Sequence, residues 1–134
     1  MIKKADLNKI KWLIVSGGRD YKFSDLDRNI LSNIFNKHNF NGIITGGSTG
    51  ADECAEKWAR NLGIPLLIFP ADWDTYGKAA GPIRNEIMSE VANSVLFFPG
   101  GKGTSNMRKH ATNNFLTIYD AEDEKKKFRI TISS

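Results

Sequence analysis

Cysteine is nearly missing from this chain: Cys54 stands alone, which excludes an intrachain disulfide and a cysteine metal cluster. Long hydrophobic runs are missing too, none approaching the roughly 18 residues that cross a bilayer. The opening residues, Met1-Ile2-Lys3-Lys4-Ala5-Asp6, turn polar at once and lack the apolar core of a signal peptide. A cytoplasmic protein with no membrane partner is expected. The two histidines, His38 and His110, lie far apart with no serine or carboxylate at triad-like spacing, so neither a catalytic histidine nor a metal site is expected. Neither Gly-x-Gly-x-x-Gly nor the P-loop occurs in proper form. With no internal repeat beyond a βα unit and no linker, the 134 residues suit one domain, 1–134, around one core.

What is present is an ordinary globular composition with a cationic balance. The net charge of +4 and pI near 9.2 favour anionic ligands. Part of that excess sits at Lys3-Lys4 and Lys125-Lys126-Lys127, which read as solvated tails rather than a nucleic-acid stripe. Nucleic acid is therefore not expected as the primary ligand.

Short apolar runs alternate with helical patterns along the chain. Trp12-Leu13-Ile14-Val15 reads as a buried strand ending at Ser16-Gly17-Gly18-Arg19-Asp20. Ser24 offers an N-cap to a helix with Leu26, Ile30, Leu31, Ile34 and Phe35 on one face, fading at 36–41. Gly42-Ile43-Ile44-Thr45 precedes a second glycine loop, 46–52. The next helix sets Ala51, Ala55, Trp58, Ala59 and Leu62 in register and closes at Gly63. Cys54 on it reads as a buried small hydrophobe. Residues 65–69 are a third strand, and 70–78 the longest connection. A helix follows with Ala80, Ile83, Ile87 and Val91 on one face, Pro82 falling in its first turn. Residues 94–98 form a fourth strand, 106–112 a weaker helix and 115–119 a fifth strand. Residues 120–127 read as a charged loop, and Phe128-Arg129-Ile130-Thr131-Ile132, alternating with period two, as a late edge strand.

Nearly all-apolar strands alternating with helices predict an α/β, Rossmann-like three-layer sandwich with a mainly parallel five-stranded sheet in the order 3-2-1-4-5. Right-handed crossovers place every strand-to-helix loop on one edge. The unusual chemistry falls in those loops, at 17–20, 46–52, 72–85 and 99–106, whereas the helix-to-strand links are short and plain. The loops after the first and fourth strands flank the topological switch point, where open α/β sheets bind ligands. No cofactor is implied.

Pro99-Gly100-Gly101-Lys102-Gly103-Thr104 has the character of a phosphate cradle, with glycines permitting close approach and a helix aiming free amides at the same point. Thr104 can donate a hydroxyl or simply cap the helix, and Lys102 can supply charge or be solvated. Arg19 and Arg84 suit a phosphate or carboxylate, the plainer reading of Arg84 being an ion pair with Glu86 or Glu90. Asp20, Asp52 and Asp72, with Asp74, are carboxylates that can bind ribose hydroxyls, act as a base or cap helices. Trp73 and Tyr76 can stack on a base or pack onto the fold.

The segments Gly17-Gly18-Arg19-Asp20-Tyr21, Thr45-Gly46-Gly47-Ser48-Thr49-Gly50-Ala51-Asp52, Ala71-Asp72-Trp73, residues 77–85 with Arg84-Asn85 and Met88, and Pro99–Thr104 resemble, as a set spanning about residues 12–119, the YspA/YpsA-related branch of the SLOG superfamily. The resemblance implies a Rossmann-like nucleotide-binding protein of bacteria or phages that forms homo-oligomers. It also implies that the glycines, Ser48, Arg84 and Asn85 belong to the ligand site. More distantly, Arg84…Met88 and Pro99–Thr104 are similar to motifs of the lonely-guy phosphoribohydrolases, which cleave the N-glycosidic bond of nucleoside 5′-monophosphates. The glutamate of that second motif is Met107 here, and methionine can neither activate water nor stabilise an oxocarbenium-like centre. If turnover occurs, Asp20, Asp52, Asp72, Arg84 or Glu86 would have to carry it. The expected function is binding of a nucleoside phosphate or ADP-ribose-like ligand, for sensing, sequestration or processing. N-glycoside hydrolysis and single-stranded DNA binding are the alternatives.

Overall fold

A computed structural model describes the backbone of residues 10–133 and the side chains of residues 10–128. The expectations placed on Met1–Asp6 and on Lys3-Lys4 lie outside these residues. Five strands, β1 (Trp12–Ser16), β2 (Gly42–Thr45), β3 (Leu66–Ile68), β4 (Ser94–Phe97) and β5 (Thr117–Asp120), form one parallel sheet in the order β3-β2-β1-β4-β5. This is the order expected. β1 is central and wholly buried, and its period-two alternation splits the core. Leu13 and Val15 face one layer, made by helices α1 (Asp25–Lys37) and α2 (Ala51–Asn61). Trp12 and Ile14 face the other, made by α4 (Ala80–Val91) and α5 (Lys102–Asn113). Each large side chain buried this way contributes roughly 1.5–3 kcal/mol.

Local chemistry sets the helix ends. Ser24 caps α1 in a reciprocal box: its Oγ accepts from Asp27 N at 3.1 Å, and Asp27 Oδ2 accepts from Ser24 N at 2.9 Å. Gly63, at φ +67°, closes α2, but Leu62 is the C-cap and 60% exposed rather than part of the buried face. The 70–78 connection holds a one-turn helix, α3 (Trp73–Tyr76), and a 3-10 turn, Gly77–Ala79.

Several expectations need correction. On α4 the buried residues are Ala80, Gly81, Asn85, Met88 and Ser89, while Ile87 is 44% exposed. Small and polar residues face inward because α4 packs closely on α5 and lines a cavity, described below. Phe115, expected inside the fifth strand, precedes it and is fully solvated. The charged loop at 120–127 and the late strand at 128–132 are replaced: Asp120 ends β5 and Ala121–Ser133 form one helix, α6. Glu122 and Glu124 pair with Lys125 and Lys127 three residues on, and three acids sit in the first turn, where the helix dipole favours them.

Lys125 is likewise no solvated tail. Its Nζ lies 2.9 Å from Asp27 Oδ1 in an ion pair and donates to Tyr21 Oη at 3.1 Å, and Tyr21 in turn donates to Asp27 Oδ2 at 2.8 Å. This pins α6 to α1 and to the loop after β1. Burial works to raise the Asp27 pKa, but the Ser24 amide, Lys125 and Tyr21 outweigh it and hold it below the usual value. Replacing Lys125 by Met leaves the Asp27 carboxylate buried without its cation and should cost about 3 kcal/mol at neutral pH. Denaturant unfolding will show that deficit narrowing below roughly pH 4, because a depressed carboxylate pKa gives stability above the unfolded value that is lost as pH falls.

Candidate ligand site at the switch point

The loops after β1 and β4 meet directly. Gly18 N donates to Pro99 O at 2.8 Å, and Phe98 N to Ser16 O at 2.8 Å. The loop after β2 closes on the first through Ala51 N to Gly18 O at 3.1 Å and Thr49 Oγ1 to Arg19 O at 3.0 Å. Gly50 makes this possible: φ is +75°, and a Cβ would lie 2.2 Å from Gly18 O. Gly100 is the second obligatory glycine, since its Cβ would overlap Thr104 Oγ1 and press on Gly18 N.

Between these loops and α4 lies a cavity of about 400 Å³. It gathers Gly17, Gly18, Arg19, Gly46, Ser48, Asp52, Arg84, Asn85, Gly101, Lys102, Gly103 and Thr104, all named from sequence, from four separate connections. Val15, Ser16 and Met88 complete the lining. Ser16 and Val15 close β1 beneath the glycines, and their strand position was the signal that could have found them.

One wall is the start of α5. Its N-cap is Gly101, no side chain caps it, and its first helical bond is Ser105 N to Gly101 O at 3.0 Å. The amides of Lys102, Gly103 and Thr104 therefore have no intrahelical acceptor and stand at the positive end of the dipole. Thr104 leans back over Gly100 instead of capping. Asn85 fixes this wall, donating through Nδ2 to Asn106 Oδ1 at 3.0 Å and to Gly103 O at 3.4 Å.

The opposite wall carries Arg84. Its Nη1 donates to Gly46 O and, at 3.4 Å, to Phe69 O, and its Nε donates to Asn85 Oδ1 at 2.9 Å. No ion pair with Glu86 or Glu90 occurs among the described residues. Burial, with Arg19 nearby, lowers the Arg84 pKa, while Asp52 opposes that shift. Asp52 Oδ2 accepts from Gly46 N at 3.2 Å and Ser48 N at 3.1 Å, shaping the β2 loop. Burial raises its pKa to about 6; the Ser48 and Gly46 amides and Arg84 oppose the rise, and Glu56 adds to it.

The remaining candidates lie elsewhere. Asp72 caps α3, accepting from Thr75 N at 3.1 Å, and Glu86 is exposed on the outer side of α4. Asp20 faces a neighbouring groove with Lys22 and Lys57. Gly47 sits against Ile68, and Pro99 and Gly100 build the turn. Trp73 is half-exposed at the rim, with the Arg19 guanidinium 5.8 Å from its ring centroid. Met107 is buried with Met88, Val95 and Phe97.

The profile of the YspA, cpYpsA-related SLOG family matches residues 12–76. The Gene 61 protein of Mycobacterium phage D29 is 30% identical over 90 residues, which span 61% of this chain and 72% of that one. The chain belongs to this SLOG family. Two solved structures share the fold of this SLOG chain at 18% identity. TM1055, a structural-genomics target, has a TM-score of 0.61 over 81% of this chain and 72% of its own. DNA processing protein A (DprA) from Streptococcus pneumoniae has a TM-score of 0.65 over 86% of this chain but 51% of its own.

The Asp52 shift has a defined sign. A carboxyl pKa raised on folding gives stability that is full below the unfolded value, 3.8, and lost as pH rises through about 6. Asp52→Asn retains an acceptor for the two amides but does not titrate. Relative to this variant, the parent protein should lose on the order of 2–3 kcal/mol between about pH 4 and pH 7, read from denaturant unfolding at each pH.

Proposed function

We propose that this SLOG-family chain binds a nucleotide or nucleotide-derived ligand, a nucleoside phosphate or an ADP-ribose-like molecule, at the carboxyl edge of its sheet. The observation that carries the reading is the uncapped start of α5, open to a cavity whose far wall presents Arg84. Three free amides and a helix dipole make an anion cradle, and a guanidinium across the cavity supplies the countercharge. The volume, about 400 Å³, falls in the range of small-molecule sites. In this reading Lys102–Thr104 hold a phosphate, Arg84 and Arg19 share its charge, Ser48 and Asp52 meet ribose hydroxyls, and Trp73 at the rim stacks on a base.

The ligand is held rather than cut. Met107 points into the apolar core, and Asp52, the carboxylate lining the cavity, has Oδ2 tied to two backbone amides, which leaves Oδ1 to accept from a ribose hydroxyl. Free base released from common mononucleotides or NAD, detected by chromatography, would overturn that part and return Asp52 to catalysis. The likeness to DNA processing protein A raises a DNA strand as the rival ligand, and steeply salt-dependent affinity would favour it.

Gly101→Asp tests the cradle. A Cβ at Gly101 meets nothing within 4 Å, and an acid at a helix N-terminus favours the fold by about 0.5 kcal/mol. The variant should melt at or slightly above the parent's temperature without ligand. It should lose at least roughly tenfold in affinity for whichever nucleotide stabilises the parent, because its carboxylate occupies the phosphate position. Thermal shift across a nucleotide panel, then calorimetry, reads both effects. No stabilising nucleotide, or equal binding by the variant, overturns the proposal.

A further inference from the structure

The cavity has a neighbour. Beside it lies a groove of about 580 Å³ whose lining includes Arg19, Lys22, Phe23, Cys54 and Lys57, with Asp20 and Glu53 as its acids. Phe23 is buried and Cys54 half-buried, and Phe23 N donates to Cys54 Sγ at 3.4 Å, which gives the groove an apolar floor. Glu53 Oε1 accepts from Gly50 N at 3.3 Å and so is spent on the start of α2. Arg19, Lys22 and Lys57 make no ion pair among the described residues.

The ridge between the two hollows is nearly bare of side chains. It is the crossing of Gly17-Gly18-Arg19 over Thr49-Gly50. Gly18 O and Arg19 O press on Gly50, where a Cβ would lie 2.2 Å from the first and 2.4 Å from the second. Thr49 folds its hydroxyl onto Arg19 O at 3.0 Å. Arg19 lines both hollows, and its guanidinium stands 5.8 Å from the centroid of the Trp73 ring. Both hollows also hold more cations than acids. The cavity sets Arg19, Arg84 and Lys102 against Asp52, and the groove sets Arg19, Lys22 and Lys57 against Asp20 and Glu53. One phosphate at the start of α5 therefore leaves a second cationic set unanswered.

We infer that the groove is the second half of one ligand site and receives a second phosphate-bearing unit. The inference rests on the nucleotide reading of the cavity and narrows it from a nucleoside monophosphate to a dinucleotide. The first phosphate lies at α5, the second passes Arg19 and meets Lys22 and Lys57, and the second nucleoside rests on the floor at Phe23. Arginine suits the shared position, because its planar fork carries five donors and stays charged. The ridge of glycines lets the ligand cross from one hollow to the other close to the backbone.

Calorimetry at fixed ionic strength tests this by comparing nucleoside 5′-monophosphates with 5′-phosphorylated dinucleotides, pNpN, of the same bases. The parent protein should bind a dinucleotide at least roughly tenfold more tightly, as expected for one further set of charged hydrogen bonds. The double variant Lys22→Gln, Lys57→Gln alters exposed side chains and should keep the parent's circular dichroism and melting temperature. It should lose the dinucleotide advantage while its mononucleotide affinity stays that of the parent. Lys37→Gln with Lys109→Gln removes the same charge at exposed positions lining neither hollow, and should keep the advantage. A dinucleotide bound no more tightly than the mononucleotide, an advantage that survives in the Lys22, Lys57 variant, or one lost equally in the Lys37, Lys109 variant overturns the inference and leaves the cavity's own reading standing. Affinity that keeps climbing with the length of longer 5′-phosphorylated strands overturns it in favour of a nucleic-acid strand. Failure of the cavity reading looks different: neither probe binds, or Gly101→Asp binds both as the parent does, and the inference falls with it.

Discussion

The cavity depends on one constraint, the capture of the Arg84 guanidinium by the carbonyl of Gly46. A free arginine on α4 would reach into solvent, as charged side chains do when burial costs them hydration. Here Nη1 and Nε are fixed by Gly46 O, Phe69 O and Asn85 Oδ1, so the planar group stands in the cavity wall. Asn85, held by Arg84 on one side, reaches α5 on the other. Two neighbouring residues thus tie the β2 loop, the end of β3 and the anion-facing helix start into one frame. A conservative change to lysine would keep the charge and lose the fork that makes the frame.

Electrostatics in that frame favour an anion without being fully compensated by the protein. Burial, and secondarily Arg19 nearby, depress the Arg84 pKa, and Asp52 is the carboxylate lining the cavity that opposes the shift. Asp52 itself is pushed up to about 6 by burial, so its negative charge is weakest where a second anion would make the site crowded. An arriving phosphate would relieve the arginines and favour a protonated Asp52. Cation excess, the free amides of α5 and a carboxyl poised near neutrality act in one direction.

Much of this was legible in the sequence, for physical reasons that also explain the failures. Strand order followed from apolar runs alternating with helices, because few topologies cover both faces of a parallel sheet. The loop chemistry converged because those connections share one edge. The apolar face of α4 misled because helical periodicity reports only that residues share a face, not that the fold covers it. There the core-facing side is small and polar, given over to Gly81, Asn85 and Ser89 for close packing and for the site. The C-terminal helix was hidden for a different reason. Alternation at 128–132 has the period of a strand, but the salt-bridged turn from Glu122 to Lys127 and the long-range anchor of Lys125 on Asp27 favour helix from the preceding residues onward. Tertiary pairing across 98 positions of sequence leaves no local signature.

Met107 shows how one position divides the readings of the site. It lies on the same first turns of α5 as the unpaired amides, yet it turns away from the cavity into the core beside Met88. A carboxylate there would face an apolar environment or would have to displace the packing to reach the ligand, and either costs the fold. Methionine closes that layer, so the helix start above it is supported from below by packing. The side chain that stands where a carboxylate would be catalytic in the distant relatives is the one that packs beneath the start of α5. In the proposed function, that uncapped helix terminus, resting on an apolar layer, receives the phosphate.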